Sequence, residues 1–264
     1  MALTDSLAAY YKFDESSGDA ADATGNGNTA TNVGTMIYGS GKINNGITGS
    51  ASTSQRFDLP SNVYSLFGGT SSWSISAWVK PATNYGTLIE IGNGSPPANS
   101  YYAALWVLIP WDASGVSVSR GTGGGATATT SNTGITTPAS VFTHIVIIHD
   151  GATNKTWIYQ NASDASGGGG ADSANAVTPT MGRFFLFDQS GYTGYGMNGV
   201  HDEIGIWSRA ITSTEVTTLY NGGAGLQYPF SSSAIKSING LAKASIKSIN
   251  GLAIASIKSI NGLA

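Results

Sequence analysis

The segment Trp73-Ser74-Ile75-Ser76-Ala77-Trp78-Val79-Lys80-Pro81 narrows the possible folds more than any other part of the chain. Trp73, Ile75, Ala77 and Val79 fall on one side of an extended backbone, Ser74, Ser76, Trp78 and Lys80 on the other. Successive side chains of a strand point to opposite faces, so this alternation predicts a half-buried strand. Further strand-like runs occupy residues 7–14, 46–48, 56–60, 87–91, 101–109, 116–119, 143–148, 156–159, 184–187 and 202–207. Turn chemistry separates them: Gly92-Asn93-Gly94, Asp150-Gly151, and glycine-rich stretches at 167–170 and 191–199. The long interval 15–32, with Gly25-Asn26-Gly27-Asn28, reads as an ordered loop with little regular structure.

Helical signals are confined to one late segment. Thr212-Ser213-Thr214-Glu215 has capping-box spacing, with Val216, Leu219 and Tyr220 on one face and Gly222 placed to stop the helix. Many short strands and one short C-terminal helix predict an all-β fold of two packed antiparallel sheets. Composition agrees. Charged residues make up 10% of the chain, against roughly 25% in ordinary soluble proteins. The 36 glycines suit tight turns between strands.

The charge is unevenly placed. All 15 acids and eight of the 12 basic residues precede residue 231, giving a body of −7 and a tail of +4. An acidic body offers no basic face to phosphates, which argues against nucleic-acid binding. There is no cysteine, so no disulfide framework or thiolate zinc site. The first residues lack the basic and apolar regions of a signal peptide. No apolar run reaches the ~20 residues needed to span a bilayer. The expectation is a chain made in the cytoplasm, without membrane insertion, that either stays there or leaves it as part of a larger particle.

Three segments in order carry a family likeness. They are Tyr11-Lys12-Phe13-Asp14-Glu15-Ser16-Ser17-Gly18 with Asp22-Ala23-Thr24-Gly25-Asn26-Gly27-Asn28, the strand 73–81, and His201-Asp202-Glu203-Ile204-Gly205-Ile206-Trp207-Ser208-Arg209-Ala210-Ile211-Thr212. The set resembles the laminin-G-like branch of the concanavalin A-like lectin/glucanase superfamily. That resemblance implies a jelly-roll sandwich over residues 1–228. One departure is Phe142, where the resemblance leads one to expect Trp before His144. It exchanges one apolar residue for another.

Glycosidases of this superfamily work with paired acids on one strand face, since cleavage needs two carboxyl groups across a defined gap. Glu90 stands alone in its strand. Asp14 with Glu15, and Asp202 with Glu203, are sequence neighbours that a regular strand sends to opposite faces. No G-x-S-x-G elbow is present. His144 and His149 fall on opposite faces of one strand and read as structural residues. The chain is therefore expected to be a non-catalytic recognition module, the alternatives being a glycoside-active enzyme of the same fold or a purely structural virion decoration protein.

Two binding chemistries remain. Asp22, Thr24, Asn26 and Asn28 place oxygens at alternate positions of a Gly-rich loop, which suits a structural Ca²⁺ or else local turn hydrogen bonds. The position where an EF-hand would need its closing Glu is Val33. The resemblance implies that Asp202 and Glu203 join Asp22, Asn26 and Asn28 around that ion. Aromatic residues among polar neighbours suit a pyranose face and its hydroxyls. Trp111 with Asp112, and Asp188, Gln189, Tyr192 and Tyr195, have this makeup. They are the expected ligand-binding residues for a surface glycan, exposed tyrosines serving protein contacts being the alternative.

Residues 229–264 differ in character. Ile235, Ile246 and Ile257 are eleven apart, as are Asn239-Gly240, Asn250-Gly251 and Asn261-Gly262. Asn-Gly between short apolar runs is a two-residue hairpin signal, and units this small need stacking or another chain. Self-association, or docking of 234–264 on an assembly such as a virion, is the expectation, a disordered linker the alternative. These repeats resemble C-terminal segments of bacteriophage and environmental bacterial structural proteins.

Overall fold

The computed structural model describes residues 1–49, 55–82, 86–92, 103–109, 116–121, 127–131, 137–171, 178–184 and 199–230. In the tail it describes 237–238, 241–242, 248–249 and 252–253. The chain divides into two compact units, Met1–Tyr228 and Pro229–Ala264.

In the first unit the early strands are β1 (Leu7–Tyr11), β2 (Thr31–Val33), β3 (Ile37–Ser40), β4 (Asn45–Gly49) and β5 (Arg56–Asp58). Next come a one-turn helix, α1 (Ser61–Tyr64), then β6 (Trp73–Pro81), β7 (Thr87–Gly92), β8 (Ala103–Leu108), β9 (Ser117–Gly121) and β10 (Thr127–Ser131). β11 (Thr143–Asp150), β12 (Lys155–Gln160), β13 (Ser163–Asp164), β14 (Gly170–Ala171), β15 (Met181–Phe184) and β16 (Gly199–Trp207) complete the strands, and α2 (Ser213–Tyr220) follows. The expectation of a single helix therefore needs one addition, since Pro60 starts the short turn α1.

Two antiparallel sheets form the sandwich. The larger, of nine strands, runs β13-β12-β11-β6-β16-β4-β3, with β1 also on β16 and β14 on β12. The smaller, of seven strands, runs β10-β9-β8-β7-β15-β5-β2. Ile75, Ala77, Val79, Ile145, Ile147 and Ile206 from the first sheet meet Phe57, Ile89, Ile91, Leu105, Val107 and Phe184 from the second in one core.

β6 departs from its half-buried expectation. Its outer residues Ser74, Ser76 and Trp78 are buried as well. The segment leading into α2 covers them: Ser74 Oγ donates to Arg209 O (2.8 Å) and accepts from Ile211 N (3.0 Å). The Tyr220 ring stacks on Trp78 at 5.9 Å. α2 itself starts with the expected capping box, Thr212 accepting from Glu215 N and Glu215 accepting from Thr212 N, a device worth about 1 kcal/mol.

β16 is the seam of the large sheet. Along one side it pairs with β6; along the other it pairs with β4 at Gly199–His201 and with β1 at Ile204–Trp207. The change of partner falls at Asp202 and Glu203, where the register shifts and Glu203 adopts φ 52°. This bulge frees the neighbouring acids from strand alternation.

In the second unit two hairpins repeat one register. Ser237 pairs with Ala242 and Ile238 with Leu241; eleven residues on, Ser248 pairs with Ala253 and Ile249 with Leu252.

Candidate binding face on the seven-stranded sheet

A single transverse row of residues crosses the smaller sheet. Pairing places Ser119 on β9 opposite Trp106 on β8, Trp106 opposite Glu90 on β7, Glu90 opposite Arg183 on β15, and Arg183 opposite Asp58 on β5. Their neighbours Val118, Val107, Ile89, Phe184 and Phe57 all enter the core. Alternation therefore puts the whole row on the outer face. Arg56, two residues from Asp58, shares that face.

The row is buried at Ser119, Trp106 and Glu90 and becomes exposed toward Asp58. Glu90 is 3% exposed and Trp106 8%, while the side chains of Arg183 and Asp58 are 15% and 39% exposed. The covered end is fixed by Trp106 Nε1 donating to Thr87 Oγ1 at 3.1 Å. Burial pushes the Glu90 carboxyl up to about 7, and the Arg183 guanidinium opposes only part of that rise. Asp58 is held differently. Both its oxygens accept from Arg56, at 2.7 and 3.2 Å, and Arg183 Nε lies 3.3 Å from Oδ1. The row thus combines an acid that burial keeps partly protonated near neutral pH, an ion pair, and a second guanidinium.

Trp111, Asp112, Asp188, Gln189, Tyr192 and Tyr195 lie outside the described residues. The strands that lead to them are described. β8 and β15 both run antiparallel to β7, with Leu108 opposite Thr87 and Phe184 opposite Ile89. Both strands therefore end at the same end of the sheet, separated by two strand spacings, about 10 Å.

The expected metal residues fall into two groups. Asp22 Oδ1 accepts from Tyr10 N, Thr24 N and Thr24 Oγ1, and Oδ2 accepts from Asn28 N. Asn26 and Asn28 donate their amides to the carbonyls of Leu7 and Ala8. Asn28 Oδ1 is buried without a hydrogen-bond partner, so the loop has one acceptor to spare. Asp202 instead accepts from the amides of Lys42, Ile43 and Glu203. Glu203 accepts from the Tyr10 phenol (2.5 Å) and Gln227 (2.6 Å). Burial raises the pKa of both acids, and the Glu203 charge raises Asp202 further. Tyr10 connects the two groups through its N–H and its hydroxyl at opposite ends of the residue. Among the described residues no group of three or more His, Cys, Asp or Glu side chains gathers as for a metal ion.

Two of the three histidines, His144 and His149, occupy opposite faces of β11. His144 meets Ser76 Oγ at 2.9 Å, and its ring lies 5.0 Å from that of Trp78 and 6.1 Å from that of Tyr220. Burial first, and the Lys42 ammonium second, lower its pKa to about 3. His149 stacks on Trp73 and contacts Arg120 and Thr156.

A family described as the concanavalin A-like lectin/glucanases superfamily matches residues 51–217, well over half the chain. The chain belongs to this superfamily. The match includes β6, the binding row and β16. Among solved structures, this superfamily member is similar to domain 4 of AbnA, a GH43 extracellular arabinanase from Geobacillus stearothermophilus, in complex with arabinotriose. Identity is 22%, coverage 80% of this chain and 96% of that one, and the TM-score 0.58. The binding domain of Paraclostridial Mosquitocidal Protein 1 is 16% identical over 84% of this chain and 53% of that one, with a TM-score of 0.62. A botulinum neurotoxin type C structure, titled for cell entry dependent on interaction with two ganglioside molecules, is 10% identical. It covers 83% of this chain and 51% of that one, with a TM-score of 0.60. The chain thus spans about half of the toxin structures. These likenesses establish a shared fold. No curated protein sequence matches the chain.

Sequence reasoning had Glu90 in isolation and passed over Arg183, Trp106 and Asp58. The alternation in Arg56-Phe57-Asp58 and Met181-Gly182-Arg183-Phe184 already places Arg56, Asp58 and Arg183 off the core. Which of them become neighbours depends on strand order.

Proposed function

We propose that this chain is a non-catalytic glycan-recognition module whose ligand lies on the outer face of the seven-stranded sheet. The carrying observation is the Trp106-Glu90-Arg183-Asp58 row, in register across four neighbouring strands. Polar side chains on a stiff sheet, walled by an indole at one end, suit a polyhydroxylated ligand. The strands leading to Trp111 and to Tyr192 end at the same end of that sheet, which makes those residues candidate contributors. The arabinotriose complex and the toxin binding domain among the structural neighbours favour a binding role. A glycan array followed by titration calorimetry tests this, with Asp58→Ala expected to weaken any binding found. An array without a binder would remove the proposal.

A second reading, a glycoside-cleaving enzyme, draws on one observation. Glu90 is pushed up to about 7 while Asp58 pairs with Arg56 two strands away. Two strand spacings are about 10 Å, near the upper end of carboxyl separations in inverting glycosidases. Arg56 takes both oxygens of Asp58, a poor setting for a general base. Release of reducing ends from any oligosaccharide on the array would favour the enzyme.

The tail is proposed to hold the module on an oligomer or a larger particle such as a phage virion. Two hairpins with the same register, each a ladder of two residue pairs, are too small to be stable alone. Deleting 231–264 is expected to abolish assembly in ultracentrifugation and leave the body's melting transition in place. Normal assembly of the truncated chain would count against anchoring.

A further inference from the structure

We propose that the binding row is selective for an acidic saccharide, one bearing a carboxylate, and that Arg183 receives that group. This rests on the glycan reading above and narrows it to a substrate class.

The argument starts from the pairing of charges. Asp58 could have neutralised Arg183, but Arg56 reaches it first with two hydrogen bonds, at 2.7 and 3.2 Å. Arg183 keeps a single approach, Nε at 3.3 Å from Oδ1. Its terminal nitrogens donate no hydrogen bond to any described residue. A guanidinium that serves only the fold closes its fork on a carbonyl or carboxylate, because leaving charged donors unmet in a partly covered place is costly. Among the described residues the fork meets no such hydrogen-bond acceptor, and the side chain is 15% exposed. A planar fork of this kind matches a carboxylate with two parallel hydrogen bonds.

The neighbours remove the usual obstacles to an incoming anion. Glu90 is the residue opposite Arg183, and burial pushes its carboxyl up to about 7, so that it is mostly neutral below that pH. A protonated carboxyl does not repel the ligand and can donate a hydrogen bond to it. The negative charge of Asp58 is already offset by Arg56. The row is a locally cationic point on a body of net charge −7. Diffuse repulsion from that body is screened beyond about 8 Å at physiological ionic strength, whereas a contact ion pair is not. Selectivity is therefore decided at contact rather than at long range.

The test uses the intact chain and calorimetric titration with galacturonic-acid oligosaccharides and sialyllactose, beside neutral galacto-oligosaccharides and lactose. Acidic ligands are expected to bind about tenfold or more tightly than their neutral counterparts. Arg183→Gln is expected to erase that difference, the ratio of acidic to neutral affinity falling to about one whatever happens to binding as a whole. Arg183→Lys keeps the charge without the fork and is expected to retain part of the preference. It also stands in should the glutamine variant fold poorly, which its melting curve reports. Equal binding of acidic and neutral ligands, or an acid preference that survives Arg183→Gln, overturns the inference and leaves the glycan reading standing. Binding of neither class overturns both.

Discussion

Glu90 faces Arg183 in register between β7 and β15, yet no ion pair joins them, and the guanidinium leans toward Asp58 instead. The acid is consequently governed by burial, which pushes it up from 4.5 to about 7. The folded state holds this proton more tightly than the unfolded chain does. Glu90's contribution is therefore fully present below pH 4.5 and declines as pH climbs toward 7. Asp202 and Glu203, also raised, act in the same direction. Glu90→Gln should flatten part of that slope, by up to about 3 kcal/mol between the two ends. Urea denaturation across this range measures it. The facing groups are Arg183, with Asp58 and Arg56 beyond it, and an unchanged slope in the variant would mean that they keep Glu90 ionised.

Arg209 and Glu215 give the opposite acid dependence. Burial alone would raise Glu215, but Arg209 and Thr212 donate to it and hold it down at about 2. This contribution is present above pH 4.5 and is lost as pH falls toward 2. Arg209 also donates to the carbonyls of Asp5 and Ala2, tying the N-terminal segment to the cap of α2. Arg209→Gln is expected to cost about 2 kcal/mol and to speed proteolysis near residue 5. Melting curves and mass spectrometry of the first cleavage products read both effects.

Gly151 has no room for a methyl group. A Cβ there would lie 1.6 Å from the backbone oxygen of Thr70. The obstacle is backbone and cannot rotate away, so Gly151→Ala should cost about 3 kcal/mol or prevent folding. Gly222 is the control: its φ of 62° strains any side chain, but nothing lies within 4 Å of the new methyl. Gly222→Ala should cost about 1 kcal/mol. Equal losses in the two variants would contradict the packing account.

Calcium is the remaining expectation for the loop 22–28. Asn28 Oδ1, buried and without a donor, and Asp22 Oδ2, with the single donor Asn28 N, are the acceptors with capacity left. Millimolar Ca²⁺ is expected to raise the melting temperature by a few degrees and EDTA to reverse it. Asn28→Ala should abolish the shift while Glu203→Gln preserves it. No response to calcium would leave the loop held by its own hydrogen bonds.

The fold was largely legible because one face of nearly every strand packs on the core, leaving alternation in residues 73–79 and 56–58. The short strands β2, β3 and β10 escaped notice. Thr31-Asn32-Val33 buries none of its side chains fully, and Thr127-Ala128-Thr129-Thr130-Ser131 holds no large apolar residue, so both look like loops in sequence. The burial of Trp78 was hidden because the helix that covers it arrives more than 130 residues later. The site was less legible for a similar reason. Glu90, Arg183 and Asp58 become neighbours only through pairing between distant strands, which single-strand patterns do not encode.

β1 completes its sheet only by pairing with β16, and Trp207 Nε1 donates to Leu3 O across 204 residues of sequence. The first strand off the ribosome must therefore wait for nearly the last. Such long-range closure is slow, because loop entropy is lost before the contacts that reward it form. Until β16 emerges, β1 lacks its neighbouring strand and has only the bridge of Tyr11 to Asp22, so the nascent chain carries an apolar edge open to other chains. Production of this protein should therefore be limited by the crowding of unfinished copies more than by the stability of finished ones.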